Sequence, residues 1–186
     1  NFSSEKIPVS LLTAPLSSLH EELRAISRNE PVFLEALRSE GVDPQWCEWG
    51  DSEDQLIQAQ NTPVVLIRST WDYSDSRARK DKFVDWLKRL VSSDQTVLLN
   101  GINVIEWNSD KKYLLDLQKA GVKIVPTHFV YGPGSPDLCT LASTWKAESI
   151  VIKPAVGASA RGLSKHNVSD EEDLTNALQS ISAVAA

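Results

Sequence analysis

The run "TPVVLIRSTW", Thr62–Trp71, constrains the fold more than any other segment. Val64 to Ile67 are apolar without a break, three of the four are β-branched, and the run stops at Arg68. It is short for a helix and does not alternate, so it reads as a strand buried on both faces. Such a strand needs helices above and below it, and helical patterns flank this one. Before it, "SSLHEELRAISRNEPVFLEALRSEG" reads as mostly helix, with Phe33, Leu34 and Leu37 at helical spacing and Gly41 as the stop. After it, "ARKDKFVDWLKRLVSS" sets Phe83, Trp86, Leu87 and Leu90 at i, i+3, i+4 and i+7. Further strands are expected in "KIPVSLLTA", with Pro8 near its start, in "VDPQWCEW" after a turn at Asp43-Pro44, and in "TVLLN". Strand and helix therefore alternate from residue 1 to about 104, the pattern of a parallel α/β domain.

The pattern then changes. "SDKKYLLDLQKAG" reads as a helix capped by Ser109 or Asp110 and ended by Gly121. "VKIVPTHFVYG" is extended, because Pro126 resists helical geometry. A turn-rich "GPGSP", a helix in "LCTLASTWKAE" and a strand in "SIVIKP" follow. The last helix, in "SDEEDLTNALQSIS", is expected to open on a capping pair of Ser169 and Glu172. With 186 residues there is room for one large or two small domains, and a boundary is expected near Gly101 to Val104.

Composition excludes several partners. The net charge is −6 and the sequence pI about 5.1, against the basic footprint that nucleic acid or an anionic membrane requires. Cys47 and Cys139 lack metal-ligand spacing and read as structural thiols, and the three histidines are scattered, so no metal site is expected. No apolar run approaches the ~20 residues of a membrane span, and no secretory signal pattern opens the chain, so a cytoplasmic location is expected. Methionine is absent even at position 1, which suggests a processed form or a fragment.

Three polar clusters carry candidate chemistry. Lys153 ends the apolar strand "SIVI", where a partly desolvated cation calls for a nearby anion. The loop after it, Gly157-Ala158-Ser159-Ala160-Arg161-Gly162, has little side chain to obstruct backbone N–H groups that could cradle phosphate oxygens, and Arg161 could add charge. It is not a P-loop, since the G-x-x-x-x-G-K-[ST] order is missing. Lys111 and Lys112 are expected in a first helical turn, where the macrodipole disfavours cations unless an anion is close. Arg68, Asp72 and Tyr73 follow the strongest strand, at the end where open α/β sheets bind ligands. Arg68 there could grip a carboxylate, Asp72 could fix Arg68 or cap the next element, and Trp71 reads as packing. No Ser, His and Asp spacing suggests a triad, and the acidic run Asp170–Asp173 reads as the solvated start of the last helix.

Taken in order, "IRSTWDY", "EWNSDKKYLLDLQKAGVKIVPT" and "IVIKPAVGASARG" resemble the ATP-grasp superfamily, in particular its glutathione-synthetase-like and cycloserine-ligase-like carboxylate–amine ligases. The likeness runs from Ile7 to about Leu178. It implies an α/β fold: a Rossmann-like pre-ATP-grasp domain over residues 1–104, then the N-terminal subdomain of an ATP-grasp fold over 105–186. Lys111 and Lys153 would be the ATP-phosphate lysines, with Lys112 an alternative to Lys111, and Gly157–Gly162 would be the flap over the phosphates. The loop departs from the family pattern in having Ala158, Ala160 and the bulky Arg161 where relatives carry more glycine. The implied reaction is ATP-dependent ligation through an acylphosphate on a small carboxylate substrate. ATP and magnesium would be the cofactors, and the metal ligands are expected in a C-terminal part that this sequence does not contain. The missing segment or a second copy would complete the site, and the chain alone is expected to be inactive. A non-catalytic nucleotide-binding module and an α/β interaction domain are the alternative readings.

Overall fold

The computed structural model describes residues 6–19, 21, 24, 30–131 and 136–185. They form two compact units, 1–109 and 110–186. Parts of the helix expected across residues 17–41, and of the loop "GPGSP", lie outside the described residues.

The first unit is built on four parallel strands, β1 (Ile7–Thr13), β2 (Val42–Glu48), β3 (Val64–Ser69) and β4 (Val97–Leu99), in the spatial order β2-β1-β3-β4. Its described helices are α1 (Glu30–Ser39), α2 (Glu53–Gln60), α3 (Arg77–Val91) and α4 (Ile102–Asn108). The strand buried on both faces is β1, not β3: Ser10, Leu11 and Leu12 are all sealed off, whereas Val64, Leu66 and Ile67 are only half-buried. The reason is position. β1 pairs with β2 along its whole length and with β3 along most of it, while β3 has only the three-residue β4 on its outer side.

On one face of the sheet Leu12, Cys47, Trp49 and Val65 pack with Leu56 and Ala59 of α2 and with Phe83, Trp86, Leu87 and Leu90 of α3. The apolar stripe read from the α3 sequence is thus its buried face. Ser76 caps this helix, its Oγ accepting from Arg79 N at 3.0 Å. Asp43-Pro44 is not a turn but part of β2, where Pro44 lies opposite Val9. β2 is an outer strand of this sheet, and there the missing N–H costs no ladder bond if it faces away from β1. Cys47 is buried, and burial followed by the Glu48 charge pushes its thiol up to about 11, while Cys139 is exposed rather than structural.

The second unit comprises α5 (Tyr113–Lys119), α6 (Leu138–Trp145), the antiparallel pair β5 (Ser149–Ile152) and β6 (Ser164–Asn167), and α7 (Glu171–Ala185). Leu138, Ile150, Ala177 and Ile181 form its core. The opening of α7 departs from expectation. Asp170 Oδ1 accepts from the backbone N–H of Glu172 and Asp173, while Ser169 turns back to Asn167 Oδ1. A carboxylate complements the helix dipole better than a hydroxyl, so Asp170 takes the role assigned to Ser169. Among the described residues no helix is long and apolar enough to cross a membrane.

Candidate functional site

In the second unit the chemistry gathers around one loop. β5 ends at Ile152, and Lys153-Pro154 turns the chain away. Lys111 and Lys112 precede α5 instead of occupying its first turn, because their backbone N–H groups are used elsewhere: Lys111 N donates to Ala155 O at 2.9 Å and Lys112 N to Asp110 Oδ1 at 3.0 Å. Lys112 is the N-cap of α5 and Lys111 the residue before it, so both still stand at the positive end of the helix dipole. Their side chains separate. Lys111 Nζ donates to Gly157 O at 2.9 Å and lies 3.4 Å from Ala155 O, whereas exposed Lys112 stands 5.1 Å from the centre of the Tyr131 ring. Burial, then the charge of Lys153, push the Lys111 amine below its ordinary value, with Asp110 partly offsetting them. The desolvated cation is thus Lys111, while Lys153 is exposed. Two lysines are brought to one loop, and the charge of Lys153 raises the cost of charging Lys111.

The loop itself is tightly wound. Ser159 and Ala160 both have positive φ, 53° and 57°, and the bond from Arg161 N to Ala158 O closes a mirror-image turn around them. Neither residue is glycine, so the loop holds backbone strain of the kind that collects at ligand-gripping segments. Gly162 has φ +68°, and a Cβ there would sit 3.0 Å from Pro154 Cγ. Gly162→Ala is expected to destabilise the second unit by roughly 1–2 kcal/mol. Gly157→Ala, whose Cβ would meet nothing nearer than 3.5 Å, should be close to neutral. Paired thermal melts check this contrast, and equal Tm values for the two variants would contradict it.

In the first unit the sheet order reverses between β1 and β3, and the carboxyl ends of such neighbours flank the usual ligand crevice. The register slips there: Leu12 lies opposite Ile67 but Thr13 lies opposite Ser69, so Arg68 is the extra residue of a bulge. Bulges re-aim side chains. Arg68 is exposed, with its guanidinium 4.6 Å from the centre of the Phe33 ring. Asp72 does not pair with Arg68. It is 1% exposed and accepts from Ser18 Oγ (2.9 Å), Trp49 Nε1 (2.8 Å) and Arg79 (2.6 Å), which makes it an internal anchor. Tyr73 stacks on Phe83 at 5.2 Å, and burial raises its phenol above the ordinary value.

Three features went unread in the sequence. Helices α2 and α4 and the polar strand β6 are each too short or too polar to give a clear period. On β6, His166 Nδ1 is 2.8 Å from Asp173 Oδ1 and its Nε2 is 2.8 Å from Ser164 Oγ. This chain resembles a triad in outline only. Asp173 Oδ2 also accepts from Asn167 N, so the group ties β6 to α7. A cavity of about 670 Å³ touches His166 and Asp173 but not Ser164, Lys111, Lys153 or the loop.

Comparison with known proteins agrees with the ordered motifs. Residues 9–100 match the family described as the N-terminal domain of D-cycloserine synthetase DcsG. The cycloserine biosynthesis protein DcsG of Streptomyces lavendulae is 30% identical over 145 residues, which are 76% of this chain and 46% of that protein. The crystal structure of D-alanine–D-alanine ligase from Bacillus anthracis superposes with a TM-score of 0.59 at 14% identity, covering 95% of this chain and 54% of that one. The likeness at that identity is one of fold. The chain spans about half the length of each relative. Over residues 9–100 the chain is similar to the DcsG N-terminal domain, in agreement with the likeness of its ordered motifs to the ATP-grasp superfamily.

Proposed function

We propose that this chain supplies the phosphate-gripping and substrate-facing portion of an ATP-dependent carboxylate–amine ligase. The observation that carries the proposal is the convergence of Lys111 and Lys153 on the loop 154–162. Two neighbouring cations, one of them partly buried and held by backbone carbonyls, form a site that gains most from a polyanion. Nucleotide phosphates would take the Lys111 amine from Gly157 O and relieve its repulsion with Lys153, and the backbone N–H groups of the loop would add donors. In this reading the first unit is the pre-ATP-grasp domain and the second the N-terminal ATP-grasp subdomain, with the boundary at 109/110 instead of near 104 because α4 packs on the first core. Arg68, aimed by the bulge at the β1/β3 switch point, would hold the substrate carboxylate beside Tyr73, with Asp72 keeping the segment in place.

The γ-phosphoryl group would pass to a carboxylate oxygen, releasing ADP and leaving an acylphosphate. An amine would then attack the acyl carbon, and the C–O bond to phosphate would break. The lysines contribute by positioning and charge neutralisation. Among the described residues no group of three or more His, Cys, Asp or Glu side chains fits a metal ion, so magnesium is assigned no ligand and no step here.

A melt with and without Mg·ATP tests the reading. At 100-fold excess over Kd, binding adds about 2.7 kcal/mol; for a chain of this size that raises Tm on the order of 5–10 °C. Lys153→Ala should fold like the parent and lose most of that rise. An unchanged Tm with saturating nucleotide would count against the proposal, and a Lys153→Ala variant that fails to melt cooperatively would make Lys153 structural. Turnover is not expected of the chain on its own.

A further inference from the structure

We propose that a cavity of about 320 Å³ at the carboxyl ends of β3 and β4 binds the uncharged, amide- or alcohol-bearing part of the ligase substrate. The assignment of this ligand as substrate rests on the ligase reading above. The location is the ligand-binding end of a parallel sheet, and the volume lies at the lower end of small-molecule pockets, roughly 300–1,000 Å³. Phe83, Ile67 and Ile105 give it apolar walls.

The polar lining is what specifies the ligand. Thr70 is only 5% exposed, lines the cavity, and its hydroxyl has no hydrogen-bond partner among the described residues. The half-buried Tyr73 hydroxyl and the side-chain amides of the exposed Asn100 and Asn108 also line it, with no hydrogen-bond partner among the described residues. These groups open onto the cavity, where a ligand donor or acceptor would replace water at a net gain of about 0.5–1.5 kcal/mol per hydrogen bond. Ser109, by contrast, already donates to Glu106 O at 3.2 Å.

Among the described residues no Lys, Arg, His, Asp or Glu lines the cavity, so an ion entering it would lose water without gaining a counter-charge from them. Tyr73, its phenol raised by burial, stays neutral. Two amides and two hydroxyls offer donors and acceptors together, the combination that a carboxamide or alcohol matches. Asn100 presents its side chain from a left-handed backbone, φ +69°, a conformation that asparagine tolerates better than most residues.

Shape-matched probes of different charge test the assignment. Benzamide, benzoate and benzamidine are titrated into the chain while the Thr70 methyl and the Asn100 and Asn108 side-chain amides are followed by NMR. Benzamide should move these signals saturably and bind about tenfold or more tighter than either charged probe. Thr70→Val should weaken benzamide by roughly fivefold, the worth of one hydrogen bond. Asn108→Asp, at an exposed position, should shift preference toward benzamidine without depending on the Thr70 variant folding. No benzamide binding, equal binding of benzoate, or shifts scattered away from these residues would overturn the proposal. The Mg·ATP melt on the same sample reads the second unit separately. Benzamide binding without a nucleotide shift would retain the pocket and remove the ligase substrate, and the converse would remove only the pocket.

Discussion

Asp72→Ala should cost the first unit about 3–5 kcal/mol, the usual loss when one partner of a buried ion pair is removed. The side chain is 1% exposed and ties three separate pieces of chain: Ser18 in the turn after β1, Trp49 just after β2, and Arg79 in the first turns of α3. Removing it leaves the Arg79 guanidinium, itself 25% exposed and stacked 4.0 Å from the Trp49 ring centre, without its anion. It also orphans the Trp49 indole N–H in the core. Against a total of about 5–15 kcal/mol for a domain, this is a fifth or more of the stability. Urea unfolding measures it as a fall in midpoint at similar m. Asp72→Asn keeps the shape and part of the hydrogen bonding, so it should lose less. A loss under about 1 kcal/mol for the alanine variant would contradict the anchoring role, because that is the range of an exposed pair.

Lys111→Met should weaken nucleotide binding by roughly 10- to 100-fold, the range for a hydrogen bond to a charged group, while Lys112→Met should leave it within about twofold. The two lysines are neighbours in sequence but point to different places, one at the Gly157 carbonyl and the other toward the Tyr131 ring. Equal losses, measured by calorimetric titration with Mg·ATP, would remove Lys111 from the phosphate site. A second readout needs no nucleotide. The folded-state pKa of Lys111 lies below its ordinary 10.5, so between the two values the unfolded chain binds more protons than the folded one. Stability then rises with pH across that window, and below it the cost of charging the buried amine is present in full. Methionine has no such term. The wild-type Tm should therefore gain on that of Lys111→Met as pH climbs from neutrality toward 10.5, and a flat difference would contradict the burial of this amine.

Much of the fold was legible because it depends on local pattern. The α3 stripe, the strands β1, β3 and β5 and the two-part alternation all follow from side chains that must leave water at a fixed period. Short elements were not legible. The seven residues of α4 and the four of β6 repeat too few times to show a period, and β6 is entirely polar. Pro44 shows the limit from the other side. A proline looks like a turn signal locally, and only its place in the sheet reveals that a strand can hold it.

By itself the sequence determined the α/β class, the cationic residues Lys111 and Lys153, and the small-residue loop between β5 and β6, since composition and order along the chain settle these. Tertiary structure alone decided which groups meet. It paired Asp72 with Arg79 instead of Arg68, made Lys111 and not Lys153 the desolvated amine, and gathered Thr70, Tyr73, Asn100 and Asn108 around one cavity. The physical reason is that charge pairing and desolvation depend on distances of a few ångströms between segments far apart in sequence. Those distances are set by which strand ends lie side by side, and by where a one-residue bulge turns a side chain.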